Sequence, residues 1–444
     1  MNHVRRVAVI GGGAAGICVG RTLVSGGLDV LVFEASGCVG GVWNYRGEVG
    51  GFAEEIGSVD CRQNRKECGW PMYENLRVNL PKEVMAFPGR PMDKSLPSFV
   101  THRDVASYLE GLAEEIHNIL RLHTPVVKVA PVEPCNPFTG YHVTSKEKDG
   151  GEKTETFDAV VVCNGHFSKP NIPRIEGMEL FRGQLIHSVD YREPYPFKGM
   201  RVVVLGAGAS GIDISIDISH IAKATFLSYK DFSPKQRHFE ADNLVHRPCI
   251  TKLDADGTVW FSDGTYEKDI DVVIFSTGYE YSFPFLAEEC GISIRDNVVD
   301  DLYQHLLPIT RPTLCFIGLV TKVAPFPIFH YQAHYLLSLF RGKTFLPTVD
   351  EMRRTLEEDR RIRKEEGLPF RFSHMMNARQ WEYNRFFADR SNQDPLAPVM
   401  QKIYDDTSDM RRNDPEHYRS REYFIVSDDE FRVLCNGEDV TPPQ

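Results

Sequence analysis

The stretch Arg201-Val-Val-Val-Leu-Gly206-Ala-Gly208-Ala-Ser-Gly211 decides how the chain is read. Its apolar, mostly β-branched run is the pattern of a strand buried on both faces. Three glycines follow at G-x-G-x-x-G spacing, and Ile212-Asp-Ile-Ser-Ile-Asp-Ile218 continues as a helix. The first glycine permits a tight bend, the second admits a pyrophosphate close to the backbone, and the third lets helix and strand pack. Phosphate would rest on a helix N-terminus, where unpaired amides and the helix dipole favour negative charge. Gly206, Gly208, Ala209, Ser210 and Gly211 are the expected contacts.

The same turn stands near the start. Val7-Ala-Val-Ile10 leads into Gly11-Gly-Gly13-Ala14-Ala15-Gly16, a helix is predicted from Ala14 to Ser25, and Asp29-Val-Leu-Val-Phe33 ends on Glu34. An acid about 20 residues past the glycines can accept hydrogen bonds from a ribose 2′-OH. Gly40-Gly41-Val42-Trp43 follows, offering a second close backbone approach and a flat indole wall. The spacing predicts an α/β protein with two dinucleotide-binding, Rossmann-like domains, one cofactor handing electrons to another.

Composition narrows the field. The 444 residues suit roughly two to three domains. The net charge of −11 excludes a sequence-independent nucleic-acid binder, which needs a basic footprint. No run approaches the roughly 18 apolar residues of a membrane span, so a soluble, cytoplasmic protein with no integral anchor is expected. Arg5 and Arg6 before Val7–Ile10 imitate a signal peptide, but the glycine fingerprint accounts for that run. Ten scattered cysteines without a C-x-x-C pair read as buried free thiols in a reducing compartment. His330 and His334 stand four apart, yet a third ligand and an H-E-x-x-H pattern are missing, so no metal is expected. Homo-oligomerisation is left open.

Taken in order, Tyr73-Glu-Asn-Leu-Arg-Val-Asn79-Leu-Pro81 follows an irregular Gly-, Cys- and charge-rich stretch at 44–72. From its neighbours alone, Asn79 is a turn or cap residue. Thr101 opens a capped helix reaching Asn118, in which His102 is structural. Strands are expected at Val126–Val129, which includes Val127, at Tyr141–Thr144 and at Phe157–Cys163. Asn164-Gly165-His166 then enters a proline-punctuated crossing. The expected domains are 1–170, a nucleotide fold inserted at 171–290, and 291–444, which completes the first fold. The insert closes on Asp271–Ser276 and the turn Thr277-Gly278-Tyr279, and Tyr281–Phe285 carries the chain back. A strand into Gly318, a helix near Phe329–Phe340, a solvated charged helix from Glu351 to Gly367, an aromatic-basic packing segment at Arg371–Arg390 and a polar tail from Asp439 complete the chain. The 44–72 stretch and the C-terminal third are expected to shape a substrate entrance.

The two fingerprints differ in one respect. Glu34 would repel a 2′-phosphate and suits FAD or NAD. The matching place after the second turn, Ser228-Tyr229-Lys230, has no acid and offers hydroxyls and a cation. That favours NADPH, with Lys230 the main phosphate partner and Arg237 a weaker one. FAD in the outer fold and NADPH in the inserted one make a flavoprotein oxidoreductase. A dithiol relay needs a C-x-x-C beside the flavin, and none is present; oxygen is the other candidate acceptor.

Phe181-Arg-Gly183-Gln-Leu-Ile-His187-Ser-Val-Asp-Tyr191-Arg192, just before the second fold, resembles the F-x-G-x-x-x-H-x-x-x-Y/F-K/R signature of the flavin-containing monooxygenases. The Glu34–Trp43 element, Ser276–Leu286 and Pro312–Leu319 are similar to further motifs of that family, in its order. The resemblance implies that NADPH reduces FAD and that O2 forms a C4a-hydroperoxyflavin, shielded by bound NADP+. Soft nucleophiles then take one oxygen, giving N-oxides from tertiary amines and alkaloids and S-oxides from thioethers, in xenobiotic or plant-alkaloid detoxification. It makes Asn79 the catalytic amide and a flavin contact, and assigns Gly11, Gly13, Ala14, Ala15, Gly16, Glu34, Gly41, Val42, Trp43, Val127, Asn164 and Gly165 to FAD. Gly206–Gly211, Ser228, Tyr229, Lys230, Thr277, Gly278 and Tyr279 are assigned to NADP. Phe181, Gly183, His187 and Tyr191 are expected in the interdomain linker. The polar tail is similar to that of soluble insect and microbial members, and length and local wording lean towards the insect enzymes. A Baeyer–Villiger ketone oxygenase, disfavoured by Tyr191-Arg192 where Trp-Pro is usual, and a non-catalytic NADP(H)-binding flavoprotein are the alternatives.

Overall fold

A computed structural model describes residues 4–45, 71–147, 150–231 and 239–442. Two five-stranded parallel sheets dominate it. In the first, Leu314–Phe316, Ala159–Val162, Arg6–Ile10, Asp29–Phe33 and Leu120–Arg121 lie side by side in that order. In the second the order is Leu244–Pro248, Ala224–Tyr229, Arg201–Leu205, Val272–Phe275 and Gln184–His187. Every strand of the second sheet falls between Ala159–Val162 and Leu314–Phe316 in sequence. One nucleotide fold is therefore inserted into the other.

Both central strands are buried on two faces, as their unbroken apolar runs require. Val7 and Val9 enter one core and Ala8 and Ile10 the other. Val202 and Val204 likewise part from Val203 and Leu205. Successive strand side chains point to opposite faces, so each sheet is covered on both sides. The strand starts are tied down alike: the Arg6 amide donates to Asp158 Oδ2 and the Arg201 amide to Asp271 Oδ2, each at 2.8 Å.

The two folds are joined where Lys169–Pro170 pairs antiparallel with Tyr279–Glu280. Tyr281 and Phe285 then bury themselves in the core of the first fold. The Pro325–Phe340 helix, with proline in its first turn, shares the other core of that fold with Ala14–Ser25.

Several expectations need correction. Phe157–Cys163 is not one strand: Phe157 ends the antiparallel strand Glu152–Phe157, and the parallel strand is Ala159–Val162. Between them Asp158 turns the chain, its carboxylate held by the Arg5 and Arg6 amides. The helix after Thr101 is α-helical only over His102–Ala113 and tightens to 3-10 over Glu114–Ile119. The charged helix, Val349–Glu365, has the expected solvated face, with Met352 and Arg363 on its buried side. Arg363 is buried, donating to Asp359 Oδ2 and to the Met375 carbonyl, each at 2.7 Å. Of the described cysteines Cys18, Cys163, Cys290 and Cys315 are buried, but Cys135 is exposed. The polar end is not merely a tail. Arg421–Ile425, Phe431–Cys435 and Glu438–Asp439 form an antiparallel sheet. Most of the 44–72 stretch, and Arg237, lie outside the described residues.

Candidate active site

The two glycine turns obey the same steric rule. Gly11 and Gly206 have φ of +109° and +114°, which a side chain resists. A Cβ on either would stand 2.4 Å from a carbonyl oxygen, that of Cys163 or Ser276. A Cβ on Gly16 or Gly211 would stand 1.8 or 1.7 Å from the Gly11 or Gly206 carbonyl. These four glycines are required by the protein's own packing. The middle ones are not: a Cβ on Gly13 would meet nothing nearer than Gly41 Cα at 3.5 Å, and one on Gly208 nothing within 4 Å. The bare space above each middle glycine fits an approaching pyrophosphate.

The helices tell the same story. Ala14–Ser25 and Ala209–Ser219 begin on Gly13 and Gly208 with no capping side chain and no acid in the first turn. His102–Ala113 and Val349–Glu365, by contrast, carry full capping boxes from Thr101/Asp104 and Thr348/Glu351. A side-chain cap contributes about 1 kcal/mol. Without one, the first-turn amides of Ala14, Ala15 and Gly16, and of Ala209, Ser210 and Gly211, are left for an anion.

Around the first turn several of the other expected flavin residues converge, although nothing among the described residues brings Val127 to it. The Gly40 amide donates to the Gly12 carbonyl at 2.9 Å, bringing Gly41 against Gly13. Glu34 is buried, and its carboxylate accepts from the Gly12 amide at 2.7 Å and the Ser36 amide at 2.8 Å. A carboxylate has about four acceptor positions, so a ribose hydroxyl can still be accommodated. Val42 and Trp43 are half-buried, the indole edge-on to Phe326 at 6.4 Å. Asn164 donates to the Ser282 carbonyl at 3.1 Å beside Gly165, and half-buried Val127 sits at an irregularity in strand register.

The second turn departs from expectation at the end of its next strand. The Gly11 amide donates to the Phe33 carbonyl and the Gly206 amide to the Ser228 carbonyl, each at 2.8 Å. Ser228 therefore corresponds to Phe33, and Tyr229 to Glu34. Ser228 is fully buried and donates its only hydroxyl proton to the Pro248 carbonyl at 2.7 Å. It does not fit the expected role of phosphate donor. The hydroxyl of half-buried Tyr229 lies 3.0 Å from His246 Nδ1, with exposed Lys230 next in the chain.

The linker signature acts as a strut. His187 Nδ1 accepts from the Val189 amide at 3.1 Å, so the proton is on Nε2, which donates to the Gly278 carbonyl at 3.0 Å. Tyr279 packs edge-on against that imidazole, and the Thr277 hydroxyl donates to the Asn171 carbonyl. Tyr191 is buried and donates to Asp217 Oδ2 at 2.5 Å; burial and the Asp217 charge push its pKa far up, so it stays a donor. Arg192 reaches the Met72 carbonyl at 3.3 Å. Gly183 is needed because a Cβ there would stand 2.4 Å from the Phe181 ring.

Asn79 is half-buried, and no hydrogen bond to its side-chain amide is found among the described residues. The backbone around it is pinned: the Val78 amide donates to Val100 at 2.9 Å and the Lys82 amide to Ser98 at 2.7 Å. This segment also reaches the inserted fold. Tyr73 donates to Asp213 Oδ2 at 3.1 Å and Asn75 to Asp217 Oδ1 at 2.9 Å. Arg419 forks onto both Asp213 oxygens at 3.2 and 2.6 Å. This junction was missed in the sequence, where its one signal is a pair of acids four apart in an isoleucine-rich helix. His330 and His334 lie with rings 4.4 Å apart, and burial, then the neighbouring imidazole, lowers the His330 pKa to about 3. Among the described residues no three metal-ligating side chains stand together, and no helix is long and apolar enough to cross a membrane.

The model of the family described as flavin-binding monooxygenase-like matches residues 4–234 and 241–393. Flavin-containing monooxygenase FMO GS-OX-like 2 of Arabidopsis thaliana is 34% identical over 463 residues, covering 99% of this chain and 97% of the relative. The structure of S-allyl-L-cysteine S-oxygenase from Allium sativum has a TM-score of 0.87 at 32% identity, over 94% and 95% of the two chains. Tmm from Pelagibacter sp. has a TM-score of 0.79 at 27% identity, over 96% and 95%. These relatives are plant and bacterial, so the length that pointed towards insect members is not particular to them.

Proposed function

The chain belongs to the flavin-binding monooxygenase-like family and is a monooxygenase that works with FAD, NADPH and O2; from that premise we propose that it oxygenates the sulfur of small thioethers. In this reading FAD lies on Gly11–Gly16 with its ribose at Glu34, and NADPH lies on Gly206–Gly211 with its 2′-phosphate at Lys230. The proposed division keeps the expected three parts, with the return to the first fold at Tyr281 rather than at 290, because Tyr281, Phe285 and Cys290 share the first fold's core. FAD held there would supply the oxygen-activating chemistry, with NADPH as its reductant.

The protein's own contribution is positional. The glycine turns orient two dinucleotides, the 181–192 strut fixes one fold on the other, and Asn79 offers an uncommitted amide donor and acceptor. A soft nucleophile needs no general base, so the task is to exclude water and hold hydrogen bonds at the reacting centre. The observation that carries the reading is that one chain builds two uncapped phosphate turns and braces an open amide against both folds. The S-oxygenase neighbour supports sulfur as the target.

The test is to supply the yellow holoprotein with NADPH, O2 and, separately, a thioether, a tertiary amine and a cyclic ketone, measuring NADPH consumed and product formed. S-oxide at close to one per NADPH is expected. N-oxide alone would move the proposal to amine or alkaloid substrates, and lactone alone to Baeyer–Villiger chemistry. A flavin-loaded protein that consumes no NADPH would remove every enzymatic reading.

A further inference from the structure

We infer that Arg419 is a positioning residue that couples the inserted nucleotide fold to the Asn79 segment, an inference that rests on the function proposed above. Three of its N–H groups are committed at once. Nε donates to the Val78 carbonyl at 3.0 Å, immediately before Asn79, while Nη1 and Nη2 grip Asp213 in the second turn of the Ala209–Ser219 helix. That helix begins at Gly208, where the phosphates of NADPH would rest. A single planar group thus spans from the phosphate-binding helix to the peptide carrying the catalytic amide. Only a guanidinium presents donors in such a rigid fork.

Arg419 is itself fixed. Its carbonyl accepts from Arg77 at 3.5 Å, and Arg77 also donates to the Phe99 carbonyl at 3.0 Å. Arg419 lies in the 3-10 turn Tyr418–Ser420, and in the strand that follows it Glu422 accepts from the Ser98 amide at 2.7 Å and the Tyr423 amide donates to Ser98 Oγ at 2.8 Å. Both guanidinium and carboxylate are largely shielded, each 16% exposed, so screening by salt is weak there. With the dinucleotide bound, a shift of the helix is carried to Val78 and hence to the reach of Asn79.

Arg419→Lys keeps the charge but has one nitrogen and cannot hold Val78 and both Asp213 oxygens together. In flavin-loaded Arg419→Lys, product per NADPH is expected to fall roughly fivefold, with peroxide replacing it, while anaerobic flavin reduction stays within about twofold. Asp213→Asn is expected to act in the same direction, and the double variant to be no worse than the worse single, because the two share one contact. Independently of turnover, NADP+ added to the oxidised holoenzyme should slow amide exchange over 76–82 in the wild type and not in Arg419→Lys. Wild-type coupling with retained NADP+ protection in Arg419→Lys would overturn the inference, as would flavin reduction and coupling falling in equal proportion. If the wild type makes no oxygenated product, the proposed function fails, and the exchange measurement still decides the role of Arg419.

Discussion

The turns at Gly11–Gly16 and Gly206–Gly211 share their backbone construction and part company one strand later. In both, the outer glycines are demanded by carbonyl oxygens of the protein itself, and the middle glycine is left bare. At the end of the next strand the first fold places a buried carboxylate, Glu34, hydrogen-bonded to the turn. The second places Tyr229, with Lys230 behind it. The shared part explains why either can hold a pyrophosphate, and the differing part explains why they need not hold the same dinucleotide. In the proposed reading, specificity is a matter of charge beside the ribose rather than of fold.

That contrast can be broken most severely at the first turn. Gly13→Ala adds a methyl group where the protein has room, so the chain should fold, yet the methyl occupies the phosphate's approach. The expected result is a colourless protein of near-normal melting temperature, checked by flavin absorbance. Gly16→Ala should also lose flavin, but through misfolding, because its Cβ would strike a backbone oxygen. A yellow Gly13→Ala protein would refute the assignment of FAD to this turn.

Asn79→Ala should come next in size. Flavin reduction by NADPH is expected to change little, whereas oxygenated product falls roughly 100-fold with a matching rise in peroxide, the scale of removing one positioned donor. Unchanged product would return Asn79 to the turn role its sequence neighbours suggest. Lys230→Ala should raise KM for NADPH about 10-fold, the worth of one charge-assisted phosphate contact, and leave KM for NADH nearly unchanged. Ser228→Ala should be the mildest: KM for NADPH shifts less than about threefold, and stability falls by about 1 kcal/mol as the bond to Pro248 is lost. A large KM effect at Ser228 with none at Lys230 would reverse the reading of the second strand end.

What was legible in the sequence was local. Both turns, their strands and the helices after them follow from neighbouring residues, and so does the Thr101 cap with Asp104. What was misread depends on register or distance. Ser228 was read with Tyr229 and Lys230 as an open hydroxyl beside the ribose, because nothing near it in the sequence shows that its proton goes to the Pro248 carbonyl. Phe157 and Ala159 seemed continuous, because the apolar run hides the turn that the Arg5 and Arg6 amides hold at Asp158. Arg363 looked solvated among its charged neighbours, although its partners in part come from the next segment. The link from Arg419 to Val78 and Asp213 could not be read at all, since three distant segments meet there without any shared pattern.

The most direct test of the two-turn account is made on Gly208→Ala, by measuring flavin content and the anaerobic rate of flavin reduction by NADPH in the same sample. The account predicts a fully yellow protein whose reduction at low NADPH is slowed at least about 10-fold, because only the second dinucleotide is displaced. A colourless protein, or a yellow one reduced at the wild-type rate, would contradict it.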